Sequence, residues 1–168
     1  MVTRGKQPAP TDLAYIAAMI DGEGTVGIYR KYPQKPTHKM RYLERVAISN
    51  SCTEVLDYIQ QFFPGCVAKN KRYSDLHKPM FRLEYHVLRV RPILEACLPY
   101  MIIKKKQAEM VLAYRDNIVI DQFHNLPQKE LEKREWYYQE LKKLNKTGVQ
   151  PQRLIGTTAK AEVIVRSA

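Results

Sequence analysis

The sequence contains no run approaching the roughly 20 apolar residues needed to span a bilayer. Its first residues, MVTRGKQPAPTD, lack the apolar stretch a secretory signal requires. These absences lead to the expectation of a soluble intracellular protein, in a prokaryotic cytoplasm or an organelle. Cysteine is scarce. Cys52, Cys66 and Cys97 are odd in number, widely spaced and without a CxxC pair, so they read as buried apolar fillers rather than a disulfide framework or zinc site. His38, His77, His86 and His124 show no HExxH spacing and read as ordinary surface or strand residues. Acidic residues are in deficit, 17 against 28 lysines and arginines, for a net charge of +11. Such a surplus either serves solubility or biases the protein toward polyanions. An anionic membrane surface is disfavoured, because no basic amphipathic helix with Trp or Phe on its apolar face is evident.

What is present suits one domain: 168 residues, 45% of them hydrophobic, enough for a single sizeable core. Residues 1–11 read as a flexible arm, 12–145 as the domain and 146–168 as a loosely attached tail. Thr11 or Asp12 can cap a helix to Asp21, with Leu13, Ile16, Ala17 and Ile20 at helical spacing and Gly22 and Gly24 ending it. Strands are expected at Thr25–Lys31 and Arg41–Asn50, where Val46 and Ile48 mark a buried face. Thr53 caps a second helix, stopped by Pro64–Gly65. Strands at Cys66–Tyr73 and Met80–Val87 follow, then a short helix from Pro92 to Leu98 and an amphipathic one over Lys105–Ile120. A charged helix covers Gln128–Asn145; on it Trp136, Tyr137, Tyr138, Leu141 and Leu144 form a patch that favours core packing over base stacking.

The element order predicts an α+β fold built on hairpins, with a four-stranded antiparallel sheet covered by helices on one side. The uncovered face then carries Tyr29, Lys31, Arg41, Arg45, Asn70, Arg72 and Arg82. A basic sheet face of this kind suits a duplex groove. A one-residue slip in register would reverse every assignment.

The segment Ile16-Ala17-Ala18-Met19-Ile20-Asp21-Gly22-Glu23-Gly24 requires its own explanation. Two acids end a helix otherwise made of apolar and small residues. A carboxylate there meets the negative end of the helix dipole, at about 0.3–1 kcal/mol, and a divalent cation would reverse that sign. Ala17 and Ala18 allow a second helix to pack closely. The plainer alternative is a helix stopped by a glycine-rich turn with solvated acids.

This segment resembles the LAGLIDADG motif of homing endonucleases, of the single-motif type that dimerises. Ala18 stands for the usual glycine and Glu23 for the second aspartate. The resemblance extends to Val46-Ala47-Ile48-Ser49-Asn50 and to Lys104-Lys105-Lys106-Gln107-Ala108, in order, across residues up to about 120. It implies a two-helix interface through Leu13, Ile16, Ala17, Ile20 and Asp21, with Asp21 in a structural role. It implies a metal site from Glu23 and the Gly22 carbonyl, filled by magnesium, with manganese or calcium able to substitute for binding. Lys104 would be the active-site lysine, Lys105 or Lys106 if the alignment slips. Asn50 would orient solvent, or else be only a polar strand end. The region Ser51-Cys52-Thr53-Glu54 lacks the second basic residue many members carry there.

The implied activity is metal-dependent cleavage of both strands of a long pseudo-palindromic DNA site by an intron-encoded homodimer. The alternative is a non-cleaving DNA-binding relative or an RNA maturase. A basic ribonucleoprotein component would leave the acidic helix end unexplained.

Overall fold

A computed structural model of the chain describes residues 6–33, 40–70, 78–119 and 126–147. Arg72, His38, His77 and His124, and most of the expected arm and tail, lie outside the described residues.

Helix α1 runs Pro10–Glu23, starting earlier and ending later than the sequence suggested. Proline fits its first turn, where an N–H has no partner to lose. Asp12 is therefore not the cap residue but sits three positions inside, where its Oδ2 accepts the Ala9 N–H at 2.8 Å. The tyrosine hydroxyl of Tyr58 donates to the other oxygen. Gly22 does not stop the helix. The chain turns at Gly24, where a Cβ would lie 2.5 Å from the Ile20 carbonyl oxygen, so only glycine allows the strand to start that close.

Strands β1 (Gly24–Lys31), β2 (Arg41–Asn50), β3 (Cys66–Lys69) and β4 (Phe81–His86) form one antiparallel sheet in the order β1-β2-β4-β3. Two hairpins thus lie side by side, joined through helix α2 (Thr53–Phe62). Cys52 rather than Thr53 precedes its first turn. Helices α3 (Val90–Cys97), α4 (Lys105–Asn117) and α5 (Gln128–Thr147) follow, with a 3-10 turn at Leu98–Tyr100 after α3.

The period-2 alternation decides which sheet face is covered. Val26 and Ile28 of β1, Val46 and Ile48 of β2, and Leu83 and Tyr85 of β4 are buried beneath the helices. They meet Ile16 and Ile20 of α1, Leu56 and Ile59 of α2, Ile93 and Leu94 of α3 and Val111 of α4 in one core. Each such side chain contributes about 1.5–3 kcal/mol by leaving water.

Three polar arrangements tie the helices to the sheet. Glu44 is only 2% exposed on the core face and pairs with Arg115 of α4 at 3.2 Å. Tyr114, beside it, donates to the Tyr42 carbonyl at 2.9 Å. Glu135 of α5 accepts from Arg30 and the Tyr42 hydroxyl. The expected aromatic patch on α5 divides accordingly: Leu141 is core, Tyr137 and Tyr138 pack partly against it, and Trp136 remains 54% exposed.

Candidate active site

Three segments remote in sequence meet at the C-terminal end of α1. The decisive contact is made by Asp21, buried at 8% exposure. Its Oδ2 accepts the backbone N–H groups of Ile102 at 2.7 Å and Ile103 at 3.1 Å, and its Oδ1 accepts that of Lys104 at 2.9 Å. A buried carboxylate needs such donors to offset its desolvation. Here they are N–H groups of the segment that enters α4, the last of them, from Lys104, at that helix's N-terminal cap near the positive end of its dipole. Asp21 thereby fixes residues 102–104 to the end of α1.

Lys104, half buried, folds back over this junction and its ammonium donates to the Asp21 carbonyl oxygen. Burial lowers its pKa below the ordinary lysine value, against the opposing pull of Asp21 and Glu23, which favour the charged form. Lys105 and Lys106 are exposed on the first turn of α4 and touch neither acid. Glu23 itself is exposed, the last residue of α1, and makes no hydrogen bond to another side chain. Its neighbour Gly22 faces open space, with nothing within 4 Å of where a Cβ would be.

Asn50 closes β2 at the same end of the sheet, two residues beyond Ile48, the partner of Gly24. Its Oδ1 accepts the Cys52 N–H at 2.9 Å, so one end of the amide serves the turn into α2. The structure gives it no hydrogen bond to Glu23 or Lys104.

The expected helix interface requires correction. Ile16, Ala17 and Ile20 are fully buried within their own chain, Asp21 is held by residues 102–104, and Leu13 packs partly against the core. An inward face cannot also be an outward one. The face of α1 left open carries Thr11, Ala14, Tyr15, Ala18 and Gly22 at helical spacing. The apolar stripe is a packing surface, but it packs on the sheet and α3. The exposed small residues mark the other side.

On the uncovered sheet face the register places Tyr29, Lys31, Arg41, Arg45 and Arg82 together, as the alternation predicted. Asn70, beyond β3, is half buried and its N–H donates to the Met80 carbonyl at 2.8 Å. Two further residues of this face escaped the sequence reading. Glu84 sits among the bases, 3.2 Å from Arg45 and 3.5 Å from Arg82, and His86 is 3.1 Å from its second oxygen. The only available signal was their parity with Arg82 along β4.

Within one chain the oxygen donors at this site are the Glu23 carboxylate and the Gly22 carbonyl. Among the described residues no group of three His, Cys, Asp or Glu side chains is placed to hold a metal ion. The donor set is of the type that hard cations such as magnesium prefer, but one chain supplies only two of the roughly six oxygens such an ion takes from protein and waters.

No protein-family model and no curated protein matches the chain. Solved structures do. The homing endonuclease I-CvuI, solved on the I-CreI target with magnesium and the DNA not cleaved, aligns with TM-score 0.62 at 20% identity, over 80% of this chain and 82% of that one. The archaeal intron-encoded homing endonuclease I-Vdi141I, complexed with DNA, gives 0.64 at 19% identity, over 80% and 84%. The I-SmaMI LAGLIDADG homing endonuclease, bound to cleaved DNA, gives 0.58 at 17% identity over 87% of this chain but only 50% of its own. With α1 ending in Asp21-Gly22-Glu23, a β1-β2-β4-β3 sheet and the described helices packed on one side of it, the chain has the LAGLIDADG homing endonuclease fold.

Proposed function

We propose that this protein is a DNA endonuclease acting as a homodimer, in which each subunit contributes one Glu23 to a shared, metal-dependent site. The observation that carries this reading is the exposed Glu23 beside the Asp21-anchored Lys104, at the end of a helix whose outer face is made of small residues. One chain holds a single open carboxylate there, since that of Asp21 is buried against residues 102–104. A second copy, packed through Thr11, Ala14, Ala18 and Gly22, would bring its own Glu23 to the same place. That this chain spans only half of I-SmaMI supports a unit that is completed by pairing.

Glu23 and the Gly22 carbonyl from both subunits would hold magnesium; manganese or calcium would substitute for binding. When bound, such an ion supplies Lewis-acid polarisation of a phosphate oxygen and of an attacking water. The chain's own residues do the rest. Lys104, held by Asp21, presents an ammonium whose charge counters the negative charge that builds on the phosphate in the transition state. The uncovered sheet face of each subunit lies along the major groove of a long, partly palindromic duplex. Tyr29, Lys31, Arg41, Arg45, Asn70 and Arg82 contact bases and phosphates there.

The test is cleavage of the DNA junction at which the reading frame is inserted, with magnesium and with EDTA. Glu23→Gln should abolish cleavage and leave binding largely intact. A Glu23→Gln protein that still nicks the duplex overturns the assignment. If the wild-type chain binds but never cuts, it is instead a DNA-binding relative, and an RNA-splicing assay then separates a maturase from a repressor. Binding should weaken steeply with salt, with a log–log slope of roughly −9 if ten phosphates are contacted.

A further inference from the structure

The uncovered sheet face, on which a basic surface would be expected throughout, has an acid near its centre. Glu84 lies opposite Ala47 of β2 and Cys66 of β3, two small partners that leave room above the sheet. Its Oε1 forms ion pairs with Arg45 Nη2 at 3.2 Å and Arg82 Nη1 at 3.5 Å, and its Oε2 lies 3.1 Å from His86 Nε2. Arg82 is held a second time through Nε, 3.4 Å from Ser49 Oγ. The cluster is incomplete: Arg45 Nε and His86 Nδ1 are buried with no hydrogen-bond partner among the described residues. Buried polar groups without partners are few in native proteins and call for a reason.

A carboxylate on a face that meets phosphates weakens non-specific attraction. It has a use where the arginines beside it must read rather than merely attract. A free arginine has many rotamers, and fixing it on binding costs entropy; an arginine already braced by a carboxylate presents its remaining N–H groups in a set direction. Such a fork pairs with the O6 and N7 acceptors of a guanine edge in the major groove. The side chains of Arg45 and Arg82 are 31% and 36% exposed, so each keeps donors open to an outside acceptor.

We infer that Glu84 is a specificity-determining positioning residue, which braces Arg45 and Arg82 as paired readers of guanine in the target duplex. The inference rests on the DNA-binding reading above and deepens it.

Selection from a randomised duplex library tests it, with wild type, Glu84→Gln and Glu84→Ala, each profiled for base preference at every position. Glu84→Gln keeps the shape of the side chain and guards against a misfolded alanine variant. Both variants should retain or gain affinity for random duplex. Discrimination at the few base pairs over the cluster should fall by roughly tenfold to a hundredfold in each half-site, the range of a lost bidentate contact. Adding Glu84→Gln to an Arg45→Ala, Arg82→Ala background should relax the profile no further. An unchanged profile in both single variants overturns the inference and leaves Glu84 as a spacer between like charges. A wild-type protein that enriches no sequence and binds without salt dependence overturns the DNA-binding reading itself, and this inference with it.

Discussion

Asp21 and Lys104, 83 positions apart in the chain, are joined twice: the Lys104 N–H donates to the Asp21 carboxylate at 2.9 Å, and the Lys104 ammonium donates to the Asp21 carbonyl oxygen. The first acid of the motif therefore acts through the protein, and the second acid, Glu23, faces solvent. One helix end supplies both the anchor for a lysine and the open carboxylate next to it.

Asp21→Asn should destabilise the fold and impair the site together. The amide keeps one acceptor but turns an NH2 group toward N–H donors that need a partner. The loss should be about 2–4 kcal/mol, the range for breaking buried hydrogen bonds to a charged group. Urea unfolding measures it, and Glu23→Gln, an exposed change, should stay within about 0.5 kcal/mol of wild type.

Among the three lysines, only Lys104 should matter to cleavage. Lys104→Met should cost at least about a hundredfold in the cleavage rate, with the fold retained, because the backbone N–H still reaches Asp21. Lys105→Met and Lys106→Met, on exposed positions, should weaken DNA binding slightly and leave the single-turnover rate near that of wild type. A single-turnover assay at saturating protein distinguishes the two effects.

Ala18→Glu should separate the two faces of α1. Its side chain points away from the core, so thermal unfolding of the isolated chain should hardly change. Sedimentation velocity should nevertheless report loss of the dimer, because two like charges would face each other across the proposed interface. Ile20→Glu, by contrast, buries a charge in the core and should prevent folding outright.

Acid stability should follow α5. Glu130, buried, is desolvated, but hydrogen bonds from Arg134 and from the Val119 N–H outweigh that and hold its pKa below 4.5. Glu135 is lowered in the same way: desolvation is outweighed by Tyr42, Gln139 and Arg30. Both groups thus bind protons less readily folded than unfolded. Their contribution is fully present above pH 4.5 and is lost as the pH falls through the folded values. Urea midpoints measured from pH 7 down to pH 3 should decline, and Glu130→Gln should be less stable at pH 7 with a shallower decline.

Much of this was legible beforehand because it is written in local periodicity. The alternation of Val46 and Ile48 with Arg45 set the covered and open faces of β2, since side chains on a strand must alternate. The helical spacing of Leu56, Ile59 and Phe62 likewise matches the buried face of α2. The resemblance of the motif set Asp21 and Glu23 apart from ordinary helix-end acids and implied a structural role for Asp21.

Other features depended on groups that meet only in three dimensions. An apolar stripe on α1 predicts burial but not what buries it, so Ile16, Ala17 and Ile20 could be assigned to a partner chain when their own sheet already covered them. Glu44 on the core face of β2 is neutralised by Arg115, 71 positions on. Glu84 was passed over because a lone acid in a strand has no meaning until the register sets it between two arginines. The sequence by itself determined the elements, the open basic face and the identity of the acidic helix end, because each depends on neighbours within a few residues. Only the tertiary structure decided which lysine joins that end and which face of α1 is free, because those depend on which distant N–H groups and side chains satisfy a buried carboxylate.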